Sequence, residues 1–108
     1  MLTTVVDHPA PERVIVDGGS KAFFADSGGW WGRARCVELP ALTLPACSEE
    51  HGQALWTGQG PAPVHLGQRL SWVPHHVCPV VNLFDEAFAL RGEEIAGRLR
   101  IAARGKSS

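Results

Sequence analysis

Charge of one sign is the first thing missing from this sequence. Ten Lys and Arg stand against eleven Asp and Glu, a formal net charge of −1 at pH 7. That balance gives no electrostatic basis for binding nucleic acid or an anionic membrane. Long apolar runs are missing as well, and none approaches transmembrane length. No basic-plus-apolar signal segment opens the chain. Cysteine is sparse: Cys36, Cys47 and Cys78 are an odd number without compact framework spacing. This argues against a disulfide scaffold and for reduced thiols in a cytoplasmic setting. The glycine-spaced frame of a phosphate-binding loop is absent before Gly19-Ser20-Lys21. The chain shows no internal repeat and no low-complexity segment.

What is present reads as one domain over residues 1–108 with one modest core. Hydrophobic residues make up 44% and charged residues 19%, a globular balance. Twelve Gly and eight Pro cut the chain into short pieces. The predicted fold is mainly β, a small antiparallel β-barrel or folded sheet of about seven to nine strands.

Residues 3–6, Thr-Thr-Val-Val, are β-branched and predict a strand that begins almost at Met1. That abrupt start suggests a chain that continues a larger protein. Pro9 and Pro11 predict the next turn, and residues 13–16 the second strand. Asp17-Gly18-Gly19-Ser20 predicts a tight turn, with residues 21–25 returning as a third strand. Lys21 is expected in solvent or paired with Asp17 or Asp26. Trp30 and Trp31 lie in a glycine-flanked loop. Either one of them meets a partner surface while the other packs inward, or they cover the core edge. Residues 36–44, interrupted by Pro40 and ended by Pro45, predict an edge strand. Ser48, Glu49 and Glu50 could open a helix, but Gly52 and Leu55-Trp56-Thr57 favour a strand. Glu50 and His51 are candidates for acid–base chemistry or for orienting a metal ligand. Residues 58–63 predict a surface loop. Residues 64–73 predict a strand with Leu66, Leu70 and Trp72 on its inner face and a turn or bulge at Gly67. Residues 84–90 continue the chain to a turn at Arg91-Gly92. Over residues 93–104 propensity favours helix, while the alternation of Leu99, Ile101 and Ala103 favours strand.

The stretch that organises the rest is Pro74-His75-His76-Val77-Cys78-Pro79-Val80-Val81-Asn82-Leu83. In an extended chain His76 and Cys78, two apart, share a face. An imidazole and a thiolate together suit zinc. The competing reading is a strand end with a packed cysteine, since free Cys is commonly buried. Val80 and Val81 predict continuation into a core strand. Further donors on the chain are His51, His65, His75 and Cys47. His75 alternates away from His76 and is the weakest of them.

PHHVCPVVNL resembles the metal-binding segment in the C-terminal domain of D-serine dehydratase, which groups with D-threonine aldolase among the alanine-racemase-like, pyridoxal-phosphate-dependent enzymes. RVIVDGGSKAFFAD at residues 13–26, SEEHG at 48–52 and ARG at 103–105 fit the same domain in the same order. The resemblance covers most of residues 3–105 and decides for a strand over 93–104. It implies zinc bound by His76 and Cys78, beside a pyridoxal phosphate held by a separate N-terminal (β/α) barrel domain or subunit. It implies loss of the β-hydroxyl from a D-amino acid, with zinc as Lewis acid. His-x-Cys is the dehydratase pattern, whereas the aldolase pattern is His-x-Asp. His75 stands where the dehydratases often carry Asn. The Schiff-base lysine of these enzymes sits in the barrel, so Lys21 is not its counterpart. This chain alone is therefore expected to be inactive, and its partner to be the barrel or a second copy in a homo-oligomer. The other reading is a stand-alone zinc-binding or protein-interaction module without catalysis.

Overall fold

Alternation between buried and open positions shapes the first strands. In β2 (Arg13–Val16), Val14 and Val16 are buried while Arg13 is exposed. In β1 (Leu2–Ala10), Thr3 and Val5 point inward in the same rhythm. The computed structural model describes residues 1–24 and 32–106. Trp30 and Trp31, and the partner surface expected of them, lie outside the described residues, as does Asp26. The chain forms two compact units, residues 1–76 and 77–108.

The first unit is a closed antiparallel barrel. Its strands are β1, β2, β3 (Ala34–Cys36), β4 (Leu42–Cys47), β5 (Gly52–Trp56) and β6 (Arg69–Pro74), in the order β1-β2-β5-β4-β3-β6. β6 closes the ring on β1 through the pairs Leu2↔Ser71, Thr3↔Leu70 and Thr4↔Arg69. The interior is filled by Val5, Val14, Val16, Phe23, Leu42, Leu44, Leu70 and Trp72. Phe23 meets Trp72 edge to face, with ring centroids 6.3 Å apart. The mainly β, small-barrel expectation therefore holds.

Several local expectations do not. Of the strand expected over residues 21–25, the described residues 21–24 do not form one: Ser20–Phe23 form a single helical turn, α1. Its first amides are taken by the neighbouring loop, Ser20 N–H donating to Ser48 O (2.8 Å) and Lys21 N–H to Glu49 O (3.1 Å). Gly19 permits that approach, because a Cβ there would overlap both carbonyls. The turn delivers Phe23 into the core. Residues 36–44 are not one edge strand but the end of β3, a turn carrying Pro40, and the start of β4. A closed barrel has no edge, and Pro45 is absorbed at a register shift between Thr43 and Ala46, where no ladder N–H is needed. β1 likewise runs through Pro9 at a register shift between Asp7 and Ala10, and the turn falls at Pro11-Glu12. Leu66, expected inside, is 64% exposed, because Gly67 (φ 87°) turns the chain before β6 begins. Leu70 and Trp72 are buried as expected.

The second unit opens with α2 (Val77–Val81), followed by a hairpin of β7 (Glu86–Arg91) and β8 (Glu94–Arg100). Gly92, at φ 63°, makes its turn. Of the strand expected over 93–104, residues 94–100 are present as β8, and the chain turns over 102–105. The extended metal segment and the core strand at Val80-Val81 are not present, because residues 77–81 are helical. Pro79 is compatible with this: it is the third residue of α2, and amides in the first turn have no intrahelical acceptor. Among the described residues, no helix is long and apolar enough to cross a membrane.

Candidate metal centre

β6 ends at Pro74, opposite Ala34 of β3. His75 then donates its amide to Arg33 O at 2.7 Å, which fixes the path of the chain as it leaves the barrel. His76 follows as the last residue of the first unit, with its side chain exposed. Cys78 is the second residue of α2, a free and exposed cysteine. The shared-face argument from strand alternation therefore does not apply. What the two residues keep is exposure and a separation of one residue.

The other cysteines are placed differently. Cys36 is fully buried on β3. Burial pushes its thiol up to about 11, against the opposing hydrogen bond at the Leu39 backbone. Such a thiol stays neutral and unreactive near pH 7. Cys47, at the end of β4, is half-buried; burial raises its pKa while Arg33 works the other way.

The remaining donors are exposed and spread along the chain. The His51 amide donates to Ser48 Oγ at 3.3 Å, and its carbonyl accepts from Ser48 N–H at 2.9 Å, so its backbone closes the loop into β5. His65 donates its amide to Gln68 Oε1 at 3.1 Å, and its Nδ1 lies 3.2 Å from Leu66 O. Glu50 is exposed and engaged by Lys21 in a surface ion pair. Lys21, expected in solvent or paired with Asp17 or Asp26, is exposed and pairs with Glu50, while Asp26 lies outside the described residues. The hydrogen bond to Glu50 holds the Lys21 pKa above its ordinary value. Among the described residues, no group of three or more His, Cys, Asp or Glu is gathered where it could hold a metal.

Sequence reasoning passed over Asn82. It lies just after α2, its amide donates to Cys78 O (3.3 Å), and its Oδ1 accepts from Gly105 N–H at 2.8 Å. The two residues stand four apart in the sequence, a spacing that would have drawn attention to Asn82 had residues 77–81 been read as helical.

A family model described as "Putative serine dehydratase domain" matches residues 1–90. An uncharacterized protein of Mycobacterium tuberculosis is 34% identical over 96 residues, 88% of this chain and 71% of that protein. D-threonine aldolase of Arthrobacter sp. is 38% identical over 107 residues, 99% of this chain but 27% of the aldolase. The crystal structure of D-threonine aldolase from Filomicrobium marinum superposes with a TM-score of 0.80 at 26% identity, over 97% of this chain and 28% of that one. D-threo-3-hydroxyaspartate dehydratase is similar at a TM-score of 0.75 and 25% identity, over 92% of this chain and 30% of that one. Its solved variants include a histidine-to-alanine change and, two positions further on, a cysteine-to-alanine change in a metal-free form. The chain thus spans most of its mycobacterial relative but under a third of the aldolases and dehydratases it matches. The match over residues 1–90, which takes in the whole barrel, shows that the chain belongs to the serine dehydratase domain family.

Proposed function

We propose that this chain is the metal-binding β domain of a D-amino-acid lyase, with His76 and Cys78 as its zinc ligands. The observation that carries the reading is the exposed His-x-Cys pair. Of three cysteines only Cys78 is exposed, and it stands two residues after an exposed histidine. One intervening residue keeps the two Cα atoms within about 7 Å by covalent geometry alone. Nitrogen and thiolate sulfur are a donor set that suits zinc. The related dehydratase, with its histidine and cysteine variants at the same spacing, supports the assignment.

Zinc, when bound, supplies a Lewis acid that makes a substrate β-hydroxyl a better leaving group. His76 and Cys78 must both be deprotonated at the metal-binding atoms, so acid competes with the metal. Two protein ligands leave coordination positions open for water and substrate. Pyridoxal phosphate does not fit this chain's residues. Lys21 is exposed and engaged by Glu50 in a surface ion pair, and the resemblance puts the Schiff-base lysine in a separate barrel. The chain's other lysine, Lys106, lies in its closing residues. The cofactor therefore belongs to an N-terminal (β/α) barrel domain or subunit, and the chain alone is inactive. The free thiols suit a cytoplasmic setting.

Zinc content of the purified chain tests the assignment. The parent should bind one zinc near neutral pH, His76→Ala and Cys78→Ala should bind none, and Cys36→Ala should bind as the parent does. Full occupancy in both ligand variants would place the metal elsewhere. Lyase activity on D-threonine or D-3-hydroxyaspartate should appear only with a co-expressed barrel.

One observation favours a second reading, a stand-alone zinc-binding or protein-interaction module. In the mycobacterial relative, 96 aligned residues make up 71% of the protein. What remains is far too short for a (β/α) barrel, which needs about 200 residues. Zinc binding by the chain, with no activity from any barrel partner, would select this reading.

A further inference from the structure

The chain after β8 folds into a closing turn over residues 101–106. Arg104 N–H donates to Ile101 O and Lys106 N–H to Ala103 O, each at 3.1 Å. Gly105 sits at φ 73°, a conformation that favours glycine. The turn is tied to two residues that follow α2. Gly105 N–H donates to Asn82 Oδ1 at 2.8 Å. Ile101 N–H donates to Asp85 O at 2.9 Å, and Arg104 Nε lies 3.2 Å from Asp85 Oδ1. Asn82 follows Cys78 by four residues and donates its amide to the Cys78 carbonyl at 3.3 Å. The residue whose side chain anchors the closing turn is therefore itself bonded to the Cys78 backbone where α2 ends.

We infer that Asn82 is a positioning residue for Cys78: its amide oxygen holds the closing turn against α2 and so fixes where the thiolate is presented to a metal. The inference rests on the zinc reading above. α2 has five residues, too few for a helix to persist by its own hydrogen bonds. The bonds Asn82 N→Cys78 O, Leu83 N→Val80 O and Phe84 N→Val81 O are all local. The Asn82–Gly105 bond spans 23 residues and supplies a tie from outside. Without it the closing turn keeps only its ties to Asp85, and part of the ordering around Cys78 falls to the metal, at a cost in affinity.

The test uses the full chain titrated with zinc in competition with a chromophoric chelator, and with cobalt(II) to follow its thiolate charge-transfer band. Asn82→Ala should bind zinc about tenfold more weakly, the range seen when a group supporting a metal ligand is lost. Its stoichiometry should be unchanged, and its Gly105 amide should exchange faster. Asn82→Asp keeps an acceptor oxygen and should bind at least as tightly as the parent. Should Asn82→Ala fail to fold, Gly105→Ala loosens the same tie from the other end. A Cβ there meets nothing within 4 Å, so the change acts through the backbone, and affinity should fall likewise. Parental affinity in the folded Ala variant would overturn the inference and leave the zinc assignment standing. A parent chain that binds neither metal would overturn the assignment, and the inference with it.

Discussion

Trp72 donates its indole N–H to Thr3 Oγ1 at 2.8 Å inside the barrel, across the seam where β6 closes on β1. Both residues are buried, so no solvent can replace the bond. Thr3→Val keeps the side-chain shape and removes the acceptor. It should destabilise the barrel by about 1–3 kcal/mol, the cost of an unmet buried donor. Thr3→Ser should cost less. Urea unfolding followed by tryptophan fluorescence reads the difference, and an unchanged midpoint for the valine variant would show that the indole has another acceptor.

Gly19→Ala should be among the costlier glycine substitutions. Its Cβ would run into the carbonyls of Ser48 and Glu49, which accept the first two amides of α1. A loss of about 2–3 kcal/mol is expected, at the upper end for single substitutions. Gly60→Ala, at φ 67° with open space around it, should cost about 1 kcal/mol from backbone strain alone. Thermal unfolding of the two variants side by side checks the order. Equal losses would mean the 48–49 loop yields freely.

The three thiols should separate by reactivity. An aromatic disulfide reagent near neutral pH should modify exposed Cys78 first, half-buried Cys47 more slowly, and buried Cys36 only on unfolding. Cys36 also sets an alkaline limit. Its pKa rises from an ordinary 9.0 to about 11 in the fold, mainly through burial. A raised value means the folded state prefers the neutral thiol. Its stabilisation is therefore full below pH 9.0 and is lost as pH rises through about 11. Cys36→Ala should remove that alkaline slope, whatever its effect on the absolute stability. A slope that persists in the variant belongs to another group.

Glu38 sets a limit on the acid side. Burial works against its charged form, but hydrogen bonds from Ser71 prevail and its pKa is lowered. Ser71 N–H reaches Oε1 at 3.0 Å and Oε2 at 2.8 Å, tying the β3–β4 turn to β6. A lowered carboxylate contributes stability above its unfolded pKa, about 4.3, and loses it as pH falls through the folded value. Glu38→Gln should be less stable than the parent at pH 7, with the gap closing in acid. A gap that stays constant with pH would show that the carboxylate charge plays no part.

The architecture was legible where side chains alternate. Val14 and Val16, Leu70 and Trp72, and the hairpin turn at Gly92 all follow from period-two patterning and turn chemistry. The misreadings gather at glycine and proline. Pro9 and Pro45 suggest a turn and the stop of an edge strand, but they sit at register shifts, which depend on pairing partners that local sequence does not name. Residues 21–25 read as a strand because the carbonyls that hold Ser20–Phe23 in a helical turn come from Ser48 and Glu49, far along the chain. At the candidate centre the donor types were legible in His76 and Cys78, while the local geometry was not. Val80 and Val81 favour strand only weakly, and Pro79 is as compatible with the first turn of a helix as with a strand end. Asn82 stayed hidden because its partner, Gly105, is distant in sequence.

The seam between β1 and β6 also dictates the order of events in folding. Leu2 pairs with Ser71, so the ring is completed by contacts between nearly opposite ends of a 76-residue unit. The β4–β5 pairs, by contrast, join residues close in sequence, such as Cys47 with Gly52. Contacts of high sequence separation must overcome a larger loop-closure entropy, and they slow the search. The β4–β5 hairpin can form early, but β1 has no partner on the β6 side until residue 71 has been synthesised and released. During translation the first strand of this β-barrel waits for the last.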